Sequence, residues 1–386
     1  LSVLDRILSH ARVSRRRVKL LLVEPHELGV GVHWRDQPRY LKLNTVAGQA
    51  TAFADSRMTL GAPILGGPTF LEWCGRNEIR SEELGRAPAP VQAEDYLPRS
   101  VWGDYLAWAA HYLLARVPPS VEVDLRRGEA RQVVPDRRGA AVRLDDGSSY
   151  TVDLAVLTTG HGVRRTPSLL DALGETFNTY PLPASVESIP PCARVGLSGM
   201  GLSAIDVTAA LTVGRGGRFT VRSGRVVYSC SGAEPTIVVF SRRGRLLSAR
   251  PAHPRRVPKS DAHHLSAAAI ARLRASRPDG RLDFFNDVLP LIRAEVLDRE
   301  LGAAQRRVAE SMLTVAPSRF STRAAYVSAV VAEAELDLAE AQTGLGCSQF
   351  KEGLETLRDL RQQLRDVVIA PGLTAEGHRD FFSVLP

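Results

Sequence analysis

Arg194-Val-Gly-Leu-Ser-Gly-Met-Gly-Leu-Ser-Ala-Ile-Asp206 is the stretch on which the reading of this chain turns. An apolar run, Val195 to Leu197, enters Gly199-x-Gly201-x-x-Ala204, and apolar residues at helical spacing follow through Ala209, Ala210 and Leu211. Strand, glycine turn and helix in that order bring backbone N–H groups and a helix N-terminus close to a pyrophosphate. Gly199, Gly201, Ser203 and Ala204 are therefore candidate dinucleotide contacts. A glycine turn serving only close helix–strand packing is the competing explanation, and the next strand weighs against it. That strand, Thr236 to Phe240, runs out into Ser241-Arg-Arg-Gly-Arg245. An acid at such a position suits a bare ribose, whereas a hydroxyl with guanidinium groups suits a 2′-phosphate. Ser241, Arg242 and Arg243 thus point to NADPH.

Towards the N-terminus, Leu1, Val3, Leu4, Ile7, Leu8 and Ala11 recur at helical spacing, and Val18 to Val23 forms an apolar strand ending at Glu24. A helix followed by a strand ending in an acid is the second and third part of a dinucleotide fold, so a strand with its own glycine turn is expected ahead of Leu1. Glu24 is the candidate partner of an adenosine ribose; a solvated strand-end acid is the alternative. Gly29 and Gly31, next in the chain, are further cofactor candidates. They open an irregular region reaching Pro98, with Leu41-Lys-Leu-Asn-Thr45 and Gly61-Ala-Pro-Ile-Leu-Gly-Gly-Pro68 inside it. A loop region of that length in a compact domain is functional or partly disordered.

Trp102 to Leu114 reads as a helix, and Val121 to Leu157 as short strands with turns at Asp136-Arg-Arg-Gly139 and Asp145-Asp-Gly147. The last of these strands, Leu154-Ala-Val-Leu157, runs into Thr158-Thr-Gly-His-Gly162. A connection rich in Pro, Arg and His, Arg250 to His264, leads to apolar stripes at helical spacing over Leu282–Leu297, Ala324–Ala341 and Gly353–Val368, which read as core. The expected class is α/β: two dinucleotide-binding, Rossmann-like domains plus a mainly helical C-terminal region. The corresponding boundaries are 1–190 for an FAD-binding domain, 191–260 for an NADPH-binding domain and 261–386 for the helical region, which could contribute to a substrate pocket.

The 386 residues suffice for two or three domains, and 44% hydrophobic with 24% charged residues describes an ordinary globular chain. There is no apolar stretch of bilayer-spanning length and no signal-peptide pattern, so no membrane partner and a cytoplasmic location are expected. Cys74, Cys192, Cys230 and Cys347 lack CxxC spacing, which argues against a zinc site or a disulfide framework, and no metal is expected. The formal charge of +8 comes from arginines spread along the chain, with only four lysines and no interleaved aromatic pattern, so nucleic acid is not an expected partner. A positive field would equally attract an anionic cofactor or a small dicarboxylate. Self-association stays open.

Asp153-Leu-Ala-Val-Leu-Thr-Thr-Gly160 resembles the Asp-x-x-hydrophobic-x-Ala-Thr-Gly signature of two-dinucleotide flavoproteins, with Thr158 in place of alanine. More specifically, the chain resembles the flavin monooxygenase family that includes L-aspartate N-monooxygenases and a bacterial FAD-dependent urate hydroxylase. The resemblance is carried by Leu1-Ser-Val-Leu-Asp-Arg-Ile7, Leu41-Lys-Leu-Asn-Thr45, Pro98-Arg-Ser-Val-Trp-Gly-Asp-Tyr-Leu106, Thr158-Thr-Gly-His161, Gly199-Met-Gly-Leu-Ser-Ala-Ile-Asp206, Gly214-Arg-Gly-Gly-Arg-Phe219 and Ser241-Arg-Arg-Gly244. It runs to about Pro254 and weakly beyond. The family continues past the point equivalent to Pro386.

The resemblance implies FAD, NADPH and O2 as reactants, oxygen held as a flavin hydroperoxide, and a substrate nitrogen or carbon attacking it; the cofactor does the hard chemistry. Its leading implied substrate is the amine of a small amino acid, L-aspartate, oxidised towards nitrosuccinate. Such an amine must be neutral to attack, which a desolvated pocket favours. Hydroxylation of an aromatic or purine ring and a non-catalytic dinucleotide-binding scaffold are the alternatives. By family position, Asn44, Arg99 and Tyr105 lie near flavin or substrate; a loop cap, a surface ion pair and helix core are their respective bland readings. Thr159, Gly160 and His161 would approach the flavin or NADP⁺, or His161 would cap its turn. Arg250 and Arg323 are candidate anchors for a substrate carboxylate. Asp206 reads as a capping or solvent-facing residue, and Gly214 to Phe219 as a tight loop.

Overall fold

A computed structural model describes residues 1–14, 16–54, 63–82, 84–160, 177, 179–241 and parts of 264–338. The chain divides into two compact units, Leu1–Phe240 and Ser241–Pro386. The first holds both regions read as dinucleotide-binding. In the second, helix α5 (Ala267–Ala275) begins at Ser266, whose side chain accepts the Ala269 N–H as an N-cap. The helical stripes expected over 282–297, 324–341 and 353–368 lie largely outside the described residues.

The chain enters on α1 (Ser2–Val13), which buries Leu4, Leu8 and Ala11 as their spacing demands, with Asp5 in the first turn and Arg12 in the last, suiting the helix dipole. Strand β1 (Val18–Glu24) follows and pairs in parallel with β4 (Val121–Arg127), in register from Val18 opposite Val121 to Glu24 opposite Arg127. Parallel neighbours need a long crossover, and the segment between them supplies one. It contains α2 (Phe70–Arg76), the short pair β2 (Arg80–Ser81) and β3 (Ala89–Pro90), and α3 (Arg99–Leu114). Helix α2, inside the region expected to be irregular, is set by a capping box in which Thr69 and Glu72 satisfy each other's backbone N–H.

Helix α3 carries Trp102, Tyr105, Trp108 and Tyr112 three or four residues apart, so the rings form one stripe. Ring centroids along it stand 5.0 to 5.9 Å apart, and Phe53, Phe70 and Trp73 close over them. This aromatic cluster, with Leu4 and Leu8 of α1, is the core of the first dinucleotide region.

A three-stranded antiparallel meander, β5 (Ala130–Asp136), β6 (Gly139–Leu144) and β7 (Ser149–Val152), turns at the two positions expected from sequence. The expected strand Leu154–Leu157 is not formed: the segment joins no sheet among the described residues, and Leu154, Val156 and Leu157 are exposed. An apolar run becomes a strand only where a neighbour takes its ladder hydrogen bonds, and among the described residues β1 pairs with β4 alone.

Beyond it, β8 (Arg194–Ser198) pairs in parallel with β11 (Thr236–Phe240), and α4 (Leu202–Leu211) lies in the crossover. The crossover also holds an antiparallel hairpin, β9 (Arg218–Arg222) and β10 (Arg225–Ser229), joined through Ser223 and Gly224. A second core gathers Leu41, Leu182, Val186, Ile189, Val207, Ala210 and Leu211, so α4 packs against the segment around Leu41.

Candidate dinucleotide and substrate site

The Gly199–Ala204 turn stands at the end of β8, where the sequence places it. Gly199 adopts φ +109°, a conformation that suits glycine, and its N–H donates to Phe240 O at 2.8 Å, tying the turn to the end of β11. Gly201 is the N-cap of α4, and no side chain caps that helix. A Cβ on Gly201 would meet nothing within 4 Å, so the backbone there faces open space. Ser203 is exposed and Ala204 half-buried. An uncapped helix start under an open glycine turn fits a pyrophosphate. At the end of β11 the Ser241 hydroxyl is buried without a hydrogen-bond partner among the described residues. Arg242, Arg243, Arg250 and Arg323 lie outside the described residues.

Glu24 ends β1, with Oε1 accepting the His26 N–H at 3.1 Å. The following loop carries Gly29 at φ +89° and Gly31 at φ +57° and folds back on α3. The His33 carbonyl comes so close to Gly103 that a Cβ there would lie 2.0 Å from its oxygen. Arg35 fastens the same loop, pairing with Asp104 of α3 at 2.5 Å and with Glu27 at 3.2 Å. Thr159 and Gly160 are exposed at the end of the unpaired Leu154 segment, and His161 lies outside the described residues.

Asn44, Arg99 and Tyr105 are not brought to one point. Asn44 is exposed, its Oδ1 accepting from the Thr45 hydroxyl at 3.4 Å. Tyr105 is fully buried in the aromatic core; its hydroxyl donates to Pro68 O at 2.8 Å and accepts the Ala52 N–H at 3.1 Å. Arg99 opens α3 and faces α4. Its Nε donates to Lys42 O at 3.1 Å, and its Nη2 donates to Asp206 Oδ2 at 2.5 Å. Burial opposes the charge on Arg99, yet the Tyr180 hydroxyl and the Asp206 carboxylate outweigh it and raise its pKa.

Asp206 neither caps a helix nor faces solvent: it is 6% exposed and also accepts the Tyr180 hydroxyl at 2.5 Å. The signal was in the sequence, since Asp206 falls in phase with Val207, Ala210 and Leu211 on the buried face of α4, where an acid requires a cationic partner. Nothing in the sequence marked Tyr180. His33 carries no signal either; burial, then the nearby Arg99 charge, lowers its pKa, and its Nδ1 is buried without a partner among the described residues. Among the described residues no cluster of His, Cys, Asp and Glu could hold a metal, and no helix is long and apolar enough to cross a membrane.

A family model described as FAD-NAD(P)-binding matches residues 1–162. The chain is 30% identical to an L-aspartate N-monooxygenase (nitrosuccinate-forming) of Streptomyces davaonensis, over 98% of this chain and 69% of that protein. A Streptomyces cremeus protein of the same name is 30% identical over 98% of this chain and 67% of the relative. The nitrosuccinic acid synthase of Aspergillus oryzae is 27% identical over 94% and 62%. With an FAD-NAD(P)-binding match over its first 162 residues and this similarity along nearly its whole length, the chain belongs to the family of FAD- and NAD(P)H-dependent L-aspartate N-monooxygenases.

Proposed function

We propose that the protein N-hydroxylates L-aspartate with FAD, NADPH and O2 and carries the oxidation on to nitrosuccinate. The observation that carries this reading is the 30% identity over 98% of the chain to enzymes named for that conversion. When bound, the two cofactors supply the hydride and the activated oxygen. The protein's own residues bind, orient and desolvate. Glu24 would accept the adenosine ribose hydroxyls of FAD, with Gly29, Gly31, Thr159, Gly160 and His161 along the rest of that cofactor. Gly199, Gly201, Ser203 and Ala204 would receive the pyrophosphate of NADPH.

The choice of NADPH over NADH is supported by the Ser241 hydroxyl, which has no partner among the described residues, and by the Arg242-Arg243 pair that follows it in sequence, a donor set suited to a 2′-phosphate. Arg250 and Arg323 are the proposed carboxylate anchors, because a guanidinium binds a carboxylate through two parallel N–H donors. The aspartate amine must lose its proton before it attacks, and a pocket closed to water lowers its pKa. A ring-hydroxylating reading would need aromatic side chains lining a flat pocket; the rings of α3 are instead packed against one another in the core.

The test is oxidation of NADPH by the FAD-loaded enzyme with and without L-aspartate, products being followed by mass spectrometry. Aspartate-dependent oxidation yielding N-hydroxyaspartate and then nitrosuccinate is the expected outcome. NADPH consumption that leaves aspartate unchanged refutes the substrate and retains the flavoprotein.

A further inference from the structure

We propose that Asp206 is a positioning residue, which through Arg99 and Tyr180 couples the nucleotide turn at the start of α4 to the segment 41–45 that carries Asn44. The inference rests on the reading of Gly199–Ala204 as the nicotinamide-nucleotide site.

Asp206 sits in the second turn of α4, just behind the glycine turn, and its side chain is 8% exposed. Its Oδ2 accepts from Arg99 Nη2 and from the Tyr180 hydroxyl, both at 2.5 Å. Arg99, whose side chain is 17% exposed, also reaches across to the 41–45 segment. Its Nε donates to Lys42 O, its backbone N–H donates to Leu41 O at 2.8 Å, and its Nη1 reaches the Tyr180 hydroxyl at 3.5 Å. The same segment is gripped by packing: Leu41 lies in the core with Val207, Ala210 and Leu211, and a Cβ at Gly214 would be 2.9 Å from the Tyr40 hydroxyl.

A charge pair so far out of water has little freedom to rearrange, because separating it leaves a buried charge uncompensated. Any shift of α4 when a nucleotide settles at its N-terminus is therefore passed to Lys42 and the residues beyond it, whereas packing alone would let α4 slide over Leu41. With 41–45 beside the flavin, as the resemblance implies for Asn44, the strut joins the two cofactor sites, and by linkage whatever NADP⁺ does to FAD affinity FAD does equally to that of NADP⁺. An ion pair that only holds the fold together would give no such ligand dependence.

Hydrogen–deuterium exchange of the FAD-loaded protein, with and without NADP⁺ and without turnover, separates the two. In the unsubstituted protein NADP⁺ is expected to slow exchange at amides 199–205 and also at 41–45. In Asp206→Asn the protection at 199–205 persists and that at 41–45 is lost. Tyr180→Phe leaves the ion pair in place and removes one donor, so it serves if Asp206→Asn does not fold, and it should reduce the protection at 41–45. In parallel, NADP⁺ affinities with and without FAD should differ about 5-fold or more in the unsubstituted protein, and their ratio should approach one in Asp206→Asn. Protection at 41–45 that is equal in the unsubstituted protein and both variants overturns the proposal, as does its absence where 199–205 is protected. Absence of protection at 199–205 overturns the nucleotide site itself, and the coupling with it.

Discussion

Tyr105 and His33 show how differently single side chains reveal themselves. Family position puts Tyr105 near flavin or substrate, yet its hydroxyl is spent inside the core on Pro68 O and Ala52 N–H. Its place in the aromatic stripe of α3 is legible from spacing; its two backbone partners are not, because they come from a loop far away in sequence. Tyr105→Phe keeps the ring and abandons both groups, so a loss of about 1–3 kcal/mol in urea unfolding is expected, with NADPH oxidation by the folded enzyme little changed. A drop in turnover without a drop in stability would return Tyr105 to the site. His33 carries no sequence signal at all. Its folded pKa lies below the ordinary histidine value, through burial first and the Arg99 charge second. The unfolded chain therefore binds the proton more readily, and the contribution is complete above the ordinary histidine value and fades as pH falls through the lowered one. Stability measured by denaturant titration should rise with pH across the range just below neutrality, and His33→Gln should flatten that rise.

Elements were legible where a local signal and a partner strand coincided. Strand β1, helices α1, α3 and α4, the glycine turn and β11 all sit where periodicity put them. Helix α2 was overlooked although Thr69-Phe-Leu-Glu72 spells its capping box, and the β9–β10 hairpin although Ser223-Gly224 is a two-residue turn signal. The Leu154–Leu157 run shows the converse, an apolar pattern that finds no partner strand among the described residues. Gly103 tests how elements hold the proposed flavin loop. On helix propensity alone Gly103→Ala would strengthen α3 by about 1 kcal/mol. The close approach of the His33 carbonyl reverses the sign, because a backbone oxygen cannot turn away as a side chain does. Overpacking of this kind costs about 1–3 kcal/mol, and the strain falls on the loop bearing Gly29 and Gly31. FAD affinity, followed by flavin fluorescence, should weaken about tenfold or more, while the helix content seen by circular dichroism stays the same. Unaltered FAD binding would mean that the loop does not hold the flavin.

The 386 residues carry a formal charge of +8, almost all of the cationic excess being arginine. A field of that sign draws in anions from beyond contact distance, and its reach shrinks from about 30 Å at 0.01 M salt to about 8 Å at 0.15 M. NADPH, NADH and aspartate are all anionic and differ in charge: NADPH carries a 2′-phosphate that NADH lacks, and aspartate carries a single net negative charge at neutral pH. Steering by the whole field should therefore make kcat/KM fall with ionic strength most steeply for NADPH, less for NADH and least for aspartate, while kcat stays nearly constant. Local recognition by Ser241, Arg242 and Arg243 has a different signature. Replacing both arginines by alanine should raise the KM for NADPH about tenfold or more, through loss of charge-assisted hydrogen bonds, and leave that for NADH nearly unchanged. The salt dependence of NADH should persist in the doubly substituted protein, since the remaining arginines still supply the field. Equal salt slopes for NADPH and NADH in the unsubstituted enzyme would remove steering of the 2′-phosphate from the argument, and an unchanged KM for NADPH in the doubly substituted protein would remove the β11 end as its seat.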